Sequence, residues 1–316
     1  MAKQMSGLHE SFRPCRDFII AMVPLIGLAA YLYGPRVLIL FGLSVATAFL
    51  CDLIAAVFSR NGMRVSDISS HMFAMIFTIM LPASSRYEIA VIGTAVTILL
   101  GKHAFGGYGN YPFHPSAFGF AFASVCWPET LYNYPASFSD IGLGLESGAK
   151  MYSAAASVLK HGGVPVIETR DLVLGNYPGP MGTTFCLIIL SCLVLLIVHG
   201  AMTWHIPFMY LLTCSAWSVL FRRAPFGMAE SLIYEMFSGA IIFGAVFIIA
   251  ERTTAPVNPK AKILYGILLG AGTMLFRTFG AFEMGVCFSV LLVNPLTSYL
   301  DKKLAPRGYK IKGARI

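Results

Sequence analysis

Charge is what this sequence has least of. Only 12% of its 316 residues are Asp, Glu, Lys or Arg, about half of the roughly 25% usual in soluble domains. Such a chain cannot clothe a water-facing globule, which excludes a soluble enzyme or binding domain. Cysteine is present but unpatterned. The seven, Cys15, Cys51, Cys126, Cys186, Cys192, Cys214 and Cys287, include no CxxC spacing, so iron–sulfur or zinc ligation has no support. Most sit in apolar runs, where cysteine behaves as a small hydrophobe. There is no GxGxxG fingerprint in a strand–helix context; Gly106-Gly107-Tyr108-Gly109 is not one. The leading seventeen residues are polar and no A-x-A-like site follows a short apolar core, so no cleavable signal peptide is expected.

What is there is apolar. Hydrophobic residues make up 57% of the chain, and the mean hydropathy is +0.72. Apolar segments centre near residues 25, 47, 76, 94 and 121, and again near 191, 212, 240, 268 and 290. A bilayer-spanning helix takes roughly 20 residues, so ten consume about 200 and leave room for one sizeable insert. The polar interval Glu129–Met181 is that insert. The expected architecture is an all-α membrane protein of about ten transmembrane helices. Five lie in a first half (1–128), an extracytoplasmic loop follows (129–181), and five lie in a second half with a basic tail (182–316).

Several segments are short or interrupted. His71–Leu81 stops at Pro82, Ser116–Cys126 is brief, and the last segment contains Asn294-Pro295 after Gly280-Ala281-Phe282-Glu283. The connector Gly101–Pro115 has four glycines and two prolines among fifteen residues. Such backbone cannot face lipid unpaired and must lie at an interface or fold back inside. Broken helices in both halves suggest a 5+5 repeat around a central site, although no residue-level repeat is visible.

The net charge of +8 is unevenly placed. Residues 301–316 carry six bases against Asp301; Lys3, Arg13 and Arg16 face Glu10 and Asp17 at the other end; the insert has five acids and three bases. Basic flanks stay cytoplasmic, and an even number of spans puts both termini there with the insert outside. Arg222 and Arg223 fall on the outer side and break the rule. The basic tail reads as a cytoplasmic anchor, not a nucleic-acid arm.

Asp52 stands in an apolar span, where a carboxylate costs several kcal/mol unless paired or hydrated. It is either part of a cation or proton path or a cap near the inner interface. Glu230, Glu235 and Glu283 lie close to helix ends where water reaches. Lys102 and His103, beside the glycine-rich turn, read either as an anion or phosphate site or as a positive-inside anchor. Within the insert, Ser153–Lys160 looks like a short amphipathic surface helix followed by His161-Gly162-Gly163.

The stretch GKHAFGGYGNYPFHPSAFGFAF (101–122) resembles the glycine-rich segment of the RnfD/NqrB family, membrane subunits of Rnf and sodium-pumping NADH:quinone oxidoreductase complexes. The resemblance continues in Leu174–Gly179, Thr203-Trp204-His205, Phe282–Ser289 and Asn294, with RnfD the nearer branch. It implies FMN esterified to a threonine in a Ser-Gly-Ala-Thr-like loop motif. Ser153-Ala154-Ala155-Ala156 holds that place, and Leu159-Lys160-His161-Gly162 fixes the register. The flavin-loop positions are therefore Ser153, Ala156, Ser157 and Lys160, with the acceptor threonine replaced by Ala156. A methyl group has no oxygen for a phosphoester, which leaves a non-covalent flavin as the alternative. Tyr111 and His114 stand where the family has asparagine, Gly182-Thr183 replaces its Gly-Glu, and Glu251-Arg252-Thr253 its Thr-Asp-Pro.

The resemblance implies a subunit of an Rnf-like ion-translocating complex linking ferredoxin to NAD, working with other subunits in the bacterial inner membrane. NAD and iron–sulfur chemistry would belong to those partners. The competing reading is a stand-alone channel or transporter of urea/ammonium-channel-like fold. Neighbouring genes for the other subunits would separate the two.

Overall fold

The computed structural model describes residues 2–58, 67–144, 150–163, 165, 167–223, 227–280 and 284–304. The first half contains α1 (Ala2–Tyr33), α2 (Arg36–Phe58), α3 (Ile68–Ile79), α4 (Tyr87–Ala95, prolonged by a π turn over Val96–Leu100) and α5 (Pro115–Cys126). The insert has α6 (Pro128–Leu131), an antiparallel pair β1 (Asn133–Pro135) and β2 (Met151–Ser153), α7 (Ala155–Lys160) and α8 (Thr169–Leu174). The second half contains α9 (Cys186–Val198), α10 (His205–Leu220), α11 (Met228–Phe237), α12 (Ile241–Phe243, prolonged by a π turn over Gly244–Ile248), α13 (Pro259–Phe279), α14 (Gly285–Val293) and α15 (Thr297–Leu304). Helix dominates, as an all-α membrane protein requires. Among the described residues, three helices are long and apolar enough to cross a bilayer: Arg13–Tyr33, Arg36–Phe58 and Tyr87–Phe105. The pair Met228–Phe237 and Ile241–Ile248, bent by 61°, is a fourth candidate, and the rest are shorter apolar helices.

The faces of α2 show what solvent it was built for. Leu40, Phe41, Ser44, Thr47, Ala48, Cys51 and Asp52 recur every three or four residues and are buried. The opposite face carries exposed Ile39, Phe49, Leu50, Leu53, Ile54 and Val57. A water-facing helix would be polar there. Here the polar side chains point inward and the apolar ones outward, matching lipid.

Helix boundaries follow local chemistry. Gly34 takes a left-handed φ of +78° and ends α1. Pro115 opens α5 with His114 as its cap, and Pro259 opens α13 with Asn258 accepting from the Lys260 N–H. Both prolines occupy the first turn, where a missing N–H costs nothing. A methyl at Gly119 would lie 1.8 Å from Thr97 Oγ1, so α5 and α4 meet only because that residue is glycine.

In the first stretch α2 packs with α4 and α3, α3 with α5, and α4 with α5. In the second, α10 packs with α13 and α11, the π turn after α12 with α14, and α13 with α14. The halves meet through α1 against α9 and α5 against α14. Two chain breaks also meet: with its amide turned to suit its neighbours, Asn294 accepts from the His114 N–H (3.1 Å) and donates to the Tyr265 hydroxyl (2.5 Å).

The insert is tied down. Arg36 donates to the carbonyls of Gly142, Gly144 and Ser85, and the Phe138 N–H to Leu32 O. The Tyr177 hydroxyl donates to Phe237 O and that of Tyr234 to Ile167 O. Its last residues turn inward: Met181 is fully buried, and its N–H donates to Leu81 O.

Candidate functional sites: a buried polar cluster and a pocket beside Arg277

Asp52, Lys102 and His103, separated by about fifty positions of sequence, meet in one cluster with Asp67 and Ser70. Asp67 caps α3, its carboxylate accepting from the Ser69 N–H; Ser70 lies one turn on. Asp52 is fully buried and accepts from the Ser70 hydroxyl (2.6 Å) and the Asp67 N–H (3.0 Å). His103 Nε2 lies 2.7 Å from Asp52 Oδ1. With Nε2 as the donor, Nδ1 is left buried and, among the described residues, without a partner. The Lys102 ammonium donates to Asp67 Oδ2 (2.8 Å) and Ser70 Oγ (2.5 Å). Burial alone would raise the Asp67 carboxyl, but Lys102 and the Ser69 hydrogen bonds outweigh it and hold the group below its ordinary value.

This corrects the reading of Lys102-His103 as an anion or cofactor site. The lysine is wholly buried and its ammonium is committed to a carboxylate and a hydroxyl, so it offers nothing to an incoming phosphate. Asp52 does brace the start of α3, as a cap would. With neutral His103 the four ionisable groups sum to one negative charge; with His103 protonated they balance. Asp67 retains about a third of its side-chain exposure and His103 about a tenth, so water approaches the cluster from one side.

A separate cavity of about 360 Å³ is lined by residues of the insert and by α13. Ser153, Ala156, Ser157, Lys160 and His161 lie on its wall, together with Glu129 and Arg277. Ser153–Lys160 is not a surface helix throughout: Ser153 ends β2, and α7 buries Ala155, Ala156 and Leu159. Gly239 turns the chain beside this loop with a left-handed φ of +76°, the conformation that favours glycine there. Arg277 donates to Glu235 O (3.1 Å) and Ser238 Oγ (3.0 Å), while its Nε is buried without a partner among the described residues.

Behind Arg277, Arg223 grips Glu235 through two parallel hydrogen bonds (Nε to Oε1, 2.6 Å) and donates to Arg277 O (2.8 Å). Glu235 is therefore buried and paired, not near water as its place in the sequence suggests. Arg223 is thus an internal partner, whereas its neighbour Arg222 is exposed. Glu230 is exposed as expected, and Glu283 lies outside the described residues, as does the tail from 305 onward. Neither Arg277 nor Asp67 stands out from the sequence. A signal for Arg277 is present, an arginine closing an apolar run, and such a residue near a membrane interior is functional or paired by default.

An FMN ester needs a hydroxyl at position 156, and the buried Ala156 methyl faces the pocket instead. The residues present do not fit covalent attachment there. They do supply Lys160, His161 and Arg277 beside two serine hydroxyls.

A third buried carboxylate, Glu251, has hydroxyl and amide partners: Thr253, Thr254 and, at 3.4 Å, Tyr111.

Sequence comparison shows what the chain is similar to. Residues 8–310 match the family described as NQR2, RnfD, RnfE. The chain is similar to the D component of the ion-translocating oxidoreductase complex of Actinobacillus succinogenes, 29% identical over 93% of each chain. It is similar to the protein of that name from Pseudomonas paraeruginosa, at 27% over 92% of this chain and 89% of the other. It is also similar to the D component of the Na(+)-translocating ferredoxin:NAD(+) oxidoreductase complex of Acetobacterium woodii, at 27% over 96% of this chain and 92% of the other.

Proposed function

The chain belongs to the NQR2, RnfD, RnfE family, and from that premise we propose that it is the D-type membrane component of an Rnf-like ion-translocating electron-transport complex linking ferredoxin to NAD. The observation that carries this is coverage: the similarity to those D components runs through both membrane halves and the insert between them. Iron–sulfur clusters and nucleotide binding belong to partner subunits in this reading, in keeping with the absence of CxxC and GxGxxG motifs from this sequence. The protein sits in the bacterial inner membrane with both termini cytoplasmic and residues 129–181 outside. Ten spans in a 5+5 arrangement are our reading, drawn from the contacts of α2 with α3 and α4 and of α10 with α11 and α13.

Within the protein, the Asp52–His103 cluster is the candidate ion path. Its acids outnumber its fixed cations by one, so a single proton or monovalent cation would balance it. The outer pocket is the candidate flavin position without covalent attachment at Ala156. Lys160 supplies charge for a phosphate there, with the Ser153 and Ser157 hydroxyls and the His161 ring as polar neighbours.

The deciding experiment is purification from native membranes through a tag on this chain. Co-elution of further electron-transport subunits is expected, and flavin released by acid precipitation should account for any flavin present. Elution as a single polypeptide, from cells that express the partners, would refute the assignment.

A further inference from the structure

A second cavity, of about 400 Å³, opens at the end of the molecule opposite the insert, lined by Arg13, Pro14, Asp17, His199, Gly200, Ala201 and Arg252. Three separate chain segments build it: the start of the first span, the turn after α9, and the stretch following the bent eighth segment. Asp17, the acid on its wall, is taken by Arg16 at 3.2 Å and faces His199 at 3.8 Å. Arg252 donates to the Gly200 carbonyl, and neither it nor Arg13 has a carboxylate partner among the described residues. The cavity therefore presents two guanidinium groups with no carboxylate partner among the described residues, in a concave setting.

What adjoins it is apolar. The two helices that frame it are packed together, Cys192 Sγ lying 3.2 Å from Ala21 O. Both carry exposed apolar side chains onward from the cavity, Ile20 and Val23 one turn apart on α1, and Val194 and Val198 one turn apart on α9. A cationic cavity at the polar margin joined to an apolar surface has the two-part chemistry of a phospholipid. Free phosphate would use the first part and leave the second unexplained. We propose that this cavity binds the head group of an anionic phospholipid, with the acyl chains lying along α1 and α9. Guanidinium suits the task, because its fork matches two phosphate oxygens at once. The inference needs the chain to lie in a membrane, but neither the complex nor the flavin.

The test uses the full-length protein in detergent, with lipid binding followed by native mass spectrometry and by thermal unfolding. Phosphatidylglycerol should bind and raise the unfolding temperature, whereas phosphatidylcholine and inorganic phosphate should do neither. The double variant R13Q/R252Q should weaken phosphatidylglycerol binding about thirtyfold, at roughly fivefold per arginine near a membrane surface. R13K/R252K should keep most of it, and R86Q, at the outer end, should keep all of it. Equal binding of the two lipids, wild-type affinity in the double variant, or capture of phosphate alone would overturn the proposal. Should the double variant fail to fold, a photo-crosslinking amino acid at Val198 in native membranes decides. Labelled phospholipid is expected; capture of a neighbouring protein in its place would count against the lipid.

Discussion

His103 Nε2 lies 2.7 Å from Asp52 Oδ1, across fifty-one positions of sequence. The contact joins α2 to the turn that follows the fourth segment, and Ser70 and Lys102 extend it to the start of α3. Asp52, Asp67, Ser70 and Lys102 are each paired within the set, so removing one leaves its partner unpaired in a low-dielectric interior. Breaking a buried ion pair from one side costs about 3–5 kcal/mol. Asp52→Leu should therefore lower the unfolding temperature sharply. Asp52→Asn keeps the shape and should retain assembly while losing ion-coupled activity. If Asp52→Leu left stability, assembly and coupling unchanged, the cluster would be neither structural nor part of an ion path.

Asp67 gives this cluster an acid-sensitive edge. Its carboxyl is held below the ordinary value of 3.8 in the folded protein. A depressed folded value means that the contribution is present above the unfolded value and is lost as pH falls through the folded one. Unfolding temperatures should decline below about pH 4, near the ordinary aspartate value, and Asp67→Asn should flatten that decline. Parallel declines in the two proteins would show that Asp67 contributes nothing on the acid side.

Arg222 and Arg223 are neighbours with different fates. Arg223→Ala leaves Glu235 facing Arg277 alone and should cost about 3–5 kcal/mol, as for other broken buried pairs. Arg222→Ala should stay within about 0.5 kcal/mol, the range of ordinary surface changes. Chemical denaturation in mild detergent measures both. Similar effects from the two would mean that Arg223 is not an internal partner.

Flavin attachment is read most directly on a denaturing gel under ultraviolet light. The wild-type band should be dark, because the residue at the acceptor position is Ala156. Ala156→Thr, expressed with the flavin transferase, asks whether the rest of the loop is still recognised; a fluorescent band there would show that one side chain separates this chain from the flavinylated pattern. Fluorescence of the wild type that disappears on replacing Ser153 or Ser157 would defeat the expectation.

Orientation can be read with single cysteines at Asp140 and Lys310 in a background where the exposed Cys126 is serine. Impermeant thiol reagents should reach position 140 from outside and position 310 only after the membrane is opened. The reverse order would invert the topology.

Much of this protein follows from its sequence alone. A chain with so little charge and such long continuous apolar runs reads as helices in lipid, because lipid satisfies no backbone group and barrel strands would alternate apolar with polar. The glycine- and proline-rich connector after α4 and the interrupted last segment likewise announce broken helices. Asp52 is conspicuous for the same reason, a carboxylate in an apolar run. What the sequence leaves open is which polar residues meet. Asp67 follows a polar stretch and looks like any helix cap; only the fold brings Lys102 onto it and turns a supposed phosphate ligand into a buried ion-pair partner. Arg223, Glu235 and Arg277 stand near three separate helix ends, and their pairing depends on how α11 packs beside α10 and α13. Local propensity and hydropathy act over a few turns of helix and so can be read along the chain. Electrostatic partners in a low-dielectric interior are chosen across it, by packing that brings distant segments within about 3 Å of each other, the reach of a hydrogen bond.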